Sequence, residues 1–209
     1  MIIEERLARI DSIMLRSGAH TSFRKGACAM ELVSWLAGEK WSDRPKCASP
    51  ILTTFLQSWN DALDDAGRQK LQPYLARVIG TAGDGKDELR GWLAADWLVR
   101  VCTPAWLELA GIMESAAALR ALPPLRSPAT LEASRASLEE ARTRGAAAWA
   151  AARAAAWAAA RAAAWDAARA AARAAARDAA TKKLEPTKVA LQASALELLD
   201  RMIDPEVGA

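Results

Sequence analysis

The sequence is poor in several of the residues that carry recognisable chemistry. It has one His, one Tyr, two Phe and three Cys in 209 residues. No run of about 18 large apolar residues occurs, so no segment reads as a membrane span. The N-terminus, Met1-Ile2-Ile3-Glu4-Glu5-Arg6, places acids where a secretory signal has a basic region; the expectation is no classical secretion and a cytoplasmic location. Three cysteines (Cys28, Cys47, Cys102) are too few and too odd a set for a disulfide framework, and reduced thiols are expected. No segment alternates apolar and polar residues over a strand's length, which excludes a β architecture. The net charge of +3 is too weak to imply a nucleic-acid partner by itself, and it excludes a strongly acidic DNA mimic.

What is present points to helices. Apolar residues at Ile3, Leu7, Ile10 and Met14 follow the 3.6 period, with Gly18 as a stop. Met30, Val33 and Leu36 repeat the pattern before Gly38. Ser49-Pro50 is a cap followed by Pro at the first helical position, opening a helix with Leu52, Phe55, Leu56, Trp59 and Leu63. Asp64 or Asp65 can cap the next one, bent at Pro73 and ending at Gly80. Helix resumes through Leu89, Leu93, Trp97 and Val101. Thr103-Pro104 repeats the cap-plus-Pro signature and opens a helix to Leu122. Ser127-Pro128 opens another after the Pro123-Pro124 break, and Glu185-Pro186 separates a last amphipathic helix. The fold expected is all-α: a helical bundle with a long central or projecting Ala-rich helix. Residues 1–124 form an N-terminal bundle. Residues 125–209 form the Ala-rich arm plus the C-terminal amphipathic helix, separate or packed into the same domain.

The arm is the most distinctive feature. From Ala146 to Ala180, Ala fills 25 of 35 positions, the rest being three Trp, five Arg and two Asp. Ala has the best helix propensity, so the segment is expected to be helical with little packing help. The large residues Trp149, Arg153, Trp157, Arg161, Trp165, Arg169, Arg173 and Arg177 recur every fourth position. Each such step turns about 400°, so the stripe winds, and the three indoles spread over about 160°. A heptad seam would keep one face toward one partner. The helix is therefore either surrounded by several others or left partly exposed. One helix over residues 128–183 would span about 84 Å, roughly twice the width of a compact domain of this size, so a break or bend near Gly145 is expected. Trp and Arg are the residues most enriched at binding hot spots, which makes these eight positions candidate partner-binding residues. Arg169, Arg173 and Arg177 could instead contact nucleic acid, although Asp166 and Asp178 blunt their charge.

Candidate chemistry is sparse. His20, Cys28, Cys47 and Cys102 have zinc-ligand chemistry but no CxxC spacing, so no metal is expected. A Cys28–His20 dyad has no supporting pattern. Asp43, Asp61, Asp64, Asp65 and Asp96 are the notable carboxylates: Asp64 and Asp65 read as caps, whereas Asp61 and Asp96 lie among apolar positions. Arg100 is the natural i+4 partner of Asp96, and an acid/base site near Asp61, Asp96 and His20 is the enzymatic alternative. Gly80-Thr81-Ala82-Gly83-Asp84-Gly85-Lys86 has the glycine spacing of a phosphate loop, but Asp87 stands where Ser or Thr is needed and no strand precedes it.

The blocks Cys28-Ala29-Met30-Glu31, Glu39-Lys40-Trp41-Ser42-Asp43-Arg44-Pro45, Cys47-Ala48-Ser49-Pro50 and Ser58-Trp59-Asn60-Asp61, with the Ala arm, resemble Ala-rich helical proteins of unknown function from high-GC bacteria and their phages. The resemblance transfers no functional residue. It implies a small accessory protein in conflict between bacteria or with phage. The function expected is non-enzymatic binding of another macromolecule, a protein or a second copy, through the Trp/Arg-studded surface. No catalytic residue, cofactor or membrane partner is expected.

Overall fold

The computed structural model describes the backbone of residues 2–162 and 166–205, and the side chains of residues 2–155 and 177–205. The described residues form an all-α protein without strands. Its α-helices are α1 (Glu4–Leu7), α2 (Ala29–Leu36), α3 (Pro50–Ala62), α4 (Asp65–Gln69), α5 (Gln72–Leu75), α6 (Asp87–Trp97), α7 (Thr103–Leu109), α8 (Met113–Arg120), α9 (Pro128–Ala133), α10 (Arg135–Ala162) and α11 (Asp166–Ile203). Among the described residues no helix is long and apolar enough to cross a membrane. Two compact units result: one joins the chain up to Ala94 with the segment from Ala195, and the other is Ala95–Ser194.

Helix starts follow local capping chemistry. The Ser49 hydroxyl accepts from the Ile51 and Leu52 amides with Pro50 at the first turn, Asp64 accepts from Gly67 at 2.7 Å, and Ser127 forms a capping box with Thr130. Several extents differ from the sequence pattern. The N-terminal periodicity yields only α1 and a 3₁₀ turn at Ile10–Ser12. The stretch expected to run from Asp65 to Gly80 divides into the short α4 and α5. The helix expected to end at Leu122 breaks at Gly111, whose φ of +80° is the left-handed conformation glycine adopts without penalty.

Three junctions expected to interrupt helix do not. Between α6 and α7 the chain stays helical through a π turn, Leu98–Cys102. Pro104 cannot donate an amide there, and the Thr103 hydroxyl reaches back to the Leu98 carbonyl at 2.8 Å instead of capping. Gly145 lies inside α10, because one glycine costs only about 1 kcal/mol and the alanines around it restore helix propensity. Pro186 lies inside α11 rather than before it. It and Lys182, whose carbonyl loses its amide partner, are both exposed, so water can serve that carbonyl.

The first unit is built on α2, α3 and α5 with the last two turns of α11. Met30, Leu32, Leu52, Leu56 and Leu75 are buried, as are Ala195, Leu198, Leu199 and Met202. The second unit packs α7 against α8 and α8 against α10, around Leu107, Ala116, Leu119 and Ala141.

Candidate interaction surface

The inward stripe of α10 starts at Leu138 and Ala141, which face the core of the second unit, and continues through Gly145, Ala148 and Ala152. Beyond Ala141 it outruns its cover. An apolar groove of about 410 Å³ opens there, walled by Trp106, Leu107 and Ile112 on one side and Gly145, Ala148 and Trp149 on the other. Trp149 is 67% exposed and Trp106 41%. From Ala146 to Ala155 every side chain of α10 is exposed or half-buried. Over this stretch the helix is not enclosed by neighbours, which answers for Trp149 the alternative posed by its winding stripe.

Of the other stripe residues, Arg153 and Arg177 are exposed. The side chains of Trp157, Arg161, Arg169 and Arg173, and all of Trp165, lie outside the described residues. Charges flank the groove. Glu139 pairs with Arg142 at 2.7 Å, and Arg144 bridges Glu114 at 2.6 Å and Glu140 at 2.9 Å. These pairs are solvent-exposed and stabilise the fold little. Glu108 and Arg120 join α7 to α8 by a bidentate pair.

The residues weighed for chemistry hold backbone instead. Asp96 accepts from Arg100 at 3.1 Å and from the Leu125 amide at 2.8 Å, which anchors the segment after α8. Asp61 accepts from the Gly18 amide at 2.7 Å and from Asn60 at 3.1 Å. It lines a polar cleft of about 220 Å³ with Asp43, Arg44, Gln57 and Cys28. Asp61 and His20 belong to the first unit and Asp96 to the second. His20 Nδ1 lies 3.0 Å from Glu31 Oε2, an oxygen that also accepts from the Cys28 amide at 2.8 Å, while Glu31 Oε1 takes the His20 amide. Glu31 is only 1% exposed. This clamp folds the 16–26 segment onto α2. A Cβ on Gly26 would come within 2.8 Å of the imidazole, so only glycine admits this approach.

Burial pushes the Cys28 thiol up to about 12, and burial with the nearby Glu39 carboxylate pushes Cys47 to about 11. Burial also raises Cys102. All three therefore stay protonated at neutral pH, the opposite of what an activated nucleophile needs. Among the described residues no three His, Cys, Asp or Glu side chains converge as metal ligands.

The Gly80–Lys86 loop has a structural occupant. Arg90, fully buried, forks onto Asp84 (2.6 and 2.5 Å), reaches Asp87 at 3.2 Å, and donates Nε to the Met202 carbonyl at 2.8 Å. Met202 lies in the last turn of α11, where carbonyls lack helical partners. One guanidinium thus ties the loop, the start of α6 and the end of α11 together. Its hydrogen bonds hold the Asp84 carboxyl down at about 2. Asp87 also accepts from the Ser49 hydroxyl at the start of α3. The sequence offered no sign of Arg90 as a hub, since one of its partners lies 112 residues away, whereas the capping-box spacing from Cys28 to Glu31 was a local signal that could have found Glu31.

No protein-family model matches the sequence, and no curated protein or solved structure matches it.

Proposed function

We propose that this chain is a non-enzymatic accessory protein that acts by binding another macromolecule through the Trp/Arg face of α10, in the cytoplasm, in conflict between bacteria or with phage. The observation that carries the binding role is Trp149: a large indole left 67% exposed beside an open apolar groove whose other wall presents Trp106. Exposing such area is unfavourable in isolation, and paired aromatics at a pocket rim are characteristic of binding hot spots. The engagement of Asp61, Asp96 and the His20–Glu31 pair by backbone groups supports a binding role over acid/base chemistry at those residues.

The test is affinity capture from native host extract with the full chain and its Trp149→Ala and Arg153→Ala variants. A partner lost with either substitution is the expected result. Turnover of a small molecule, with no Trp149-dependent partner, would sink the reading. A gel-shift series in rising salt separates nucleic acid from protein: binding that collapses with salt, and on replacing Arg169, Arg173 and Arg177 by Ala, identifies a nucleic-acid partner.

A further inference from the structure

We propose that the partner of this surface is a single-stranded nucleic acid, held with its bases against Trp106 and Trp149 and its phosphates against Arg153. This rests on the binding role just proposed for the Trp/Arg face and names the chemistry of its partner.

The charge of α10 changes along its length. Before Trp149 every Arg of the helix is neutralised: Arg135 by Glu132, Arg142 by Glu139, and Arg144 by Glu114 and Glu140. Glu108 is held by Arg120 in the same way, so no free carboxylate of these pairs repels an anion at the groove. Past Glu140 the helix contains no acid. Arg153 is exposed, and no carboxylate among the described residues pairs with it. The same holds for Arg177, Lys182 and Lys183 in α11. From Arg153 to Lys183 the sequence carries seven Arg or Lys against two Asp, whereas the rest of the chain carries 21 basic and 23 acidic residues. The net charge of +3 thus conceals a basic arm on a slightly acidic body, a distribution that suits a polyanion.

The groove decides which polyanion. Trp106 and Trp149 stand on its two walls, both open to solvent, and none of the described residues lining it is charged. An indole face stacks on any base, so the pair accepts unpaired bases of any sequence. A duplex keeps its bases inside the stack and would leave both indoles unused. In the sequence of α10, Trp149, Arg153, Trp157 and Arg161 then alternate aromatic and cation at four-residue steps. Each step advances about 6 Å and turns about 40° past a full turn. A flexible strand, itself an alternation of base and phosphate, follows such a winding line, whereas a stiff duplex does not. An acidic protein helix would satisfy Arg153 but has no repeat of its own to match the aromatic positions.

The test is fluorescence anisotropy with the full chain. The probes are end-labelled oligodeoxythymidine and oligouridine of about 20 nucleotides, longer than one such site, and a duplex of equal length. At least one single strand is expected to bind about tenfold or more tighter than the duplex. Trp149→Ala should weaken that binding about tenfold and leave its salt dependence unchanged, while Trp149→Phe, which keeps a stacking face, should stay within about threefold of the wild type. Arg153→Ala should instead flatten the plot of log affinity against log salt by about 0.7, the slope of one phosphate contact on a single strand. Circular dichroism checks that each variant keeps its helix content. Absence of binding at low salt overturns the proposal. So does a duplex bound equally well, an affinity indifferent to Trp149→Ala, or a salt slope untouched by Arg153→Ala. If no nucleic acid binds yet the chain captures a Trp149-dependent protein from extract, the single-strand assignment falls and the binding role stands. If neither occurs, both fall.

Discussion

The first unit and the exposed half of α10 are stabilised in opposite ways. In the first unit, buried polar hubs do the joining: Arg90 ties its own loop to a carbonyl 112 residues away, and Glu31 clamps the 16–26 segment to the start of α2. Helix α10 beyond Ala141 has almost no such help. Over residues 142–155 its side chains are mostly alanine, all of them exposed or half-buried, and what holds it is intrinsic propensity with i,i+4 backbone bonding. Damage at one hub should spread through its unit, whereas damage in the arm should stay local and small.

Arg90→Met is expected to break the comparison open most widely. It removes a fully buried cation and leaves the Met202 and Thr81 carbonyls without their donor. Loss of about 3–5 kcal/mol is expected, read by chemical denaturation. Acid probes the same hub without mutation. The Asp84 carboxyl titrates lower in the folded state than in the unfolded chain. Its contribution is therefore complete above the ordinary carboxylate range and disappears as pH falls toward about 2. Acid unfolding of the wild type over that window, with a smaller pH dependence in Arg90→Met, is the expected pattern. Glu31→Gln comes next. It sets an amide donor against one of the amides or the imidazole that Glu31 now accepts from, at a cost of about 1–3 kcal/mol. Hydrogen exchange should locate the loosening in residues 16–26.

This contrast also explains which parts of the fold the sequence disclosed. Ser49, Asp64 and Ser127 are caps whose partners lie within three residues, so composition reveals them. The all-α class and the helicity of the Ala-rich segment follow from propensity and period. Gly145 misled because its cost of about 1 kcal/mol is small beside the helix around it, and Pro186 because its larger cost falls at an exposed place in a long helix where water can serve the freed carbonyl. Arg90 was illegible because burial and a partner 112 residues away define its role, whereas Glu31 stands at the local capping-box spacing from Cys28 and only its bonds to His20 needed the fold. At the surface, Trp149 was legible as a candidate from its place in the stripe. Trp106, its neighbour across the groove, was not, since only the turn at Gly111 and the packing of α7 and α8 bring it there.

In the arm, Ala150→Gly should cost about 1 kcal/mol of local helix and leave the denaturation midpoint of the first unit unchanged. Gly145→Ala should gain up to ~1 kcal/mol, because the added methyl enters open space in a helix interior. Far-ultraviolet circular dichroism on heating reads both. A large shift of the whole transition by either would show that the arm is coupled into a unit's core after all.

The smallest effect tests the polar economy of the first unit. Thr53 and Thr54 are adjacent on α3, one buried and one exposed. The Thr54 hydroxyl donates to the Pro50 carbonyl at 3.0 Å, but the buried Thr53 hydroxyl has no hydrogen-bond partner among the described residues. Thr53→Val replaces an unsatisfied hydroxyl with a methyl of similar shape and nearly equal helix propensity, so it should be neutral or stabilising by up to ~1 kcal/mol. Thr54→Val removes a satisfied hydroxyl and exposes a methyl, with a change within about 0.5 kcal/mol. Paired denaturation curves should place Thr53→Val at or above the wild type. A clear destabilisation there would mean that the hydroxyl has a partner, such as a buried water, and that the first unit satisfies its interior polar groups at Thr53 as fully as it does at Arg90 and Glu31.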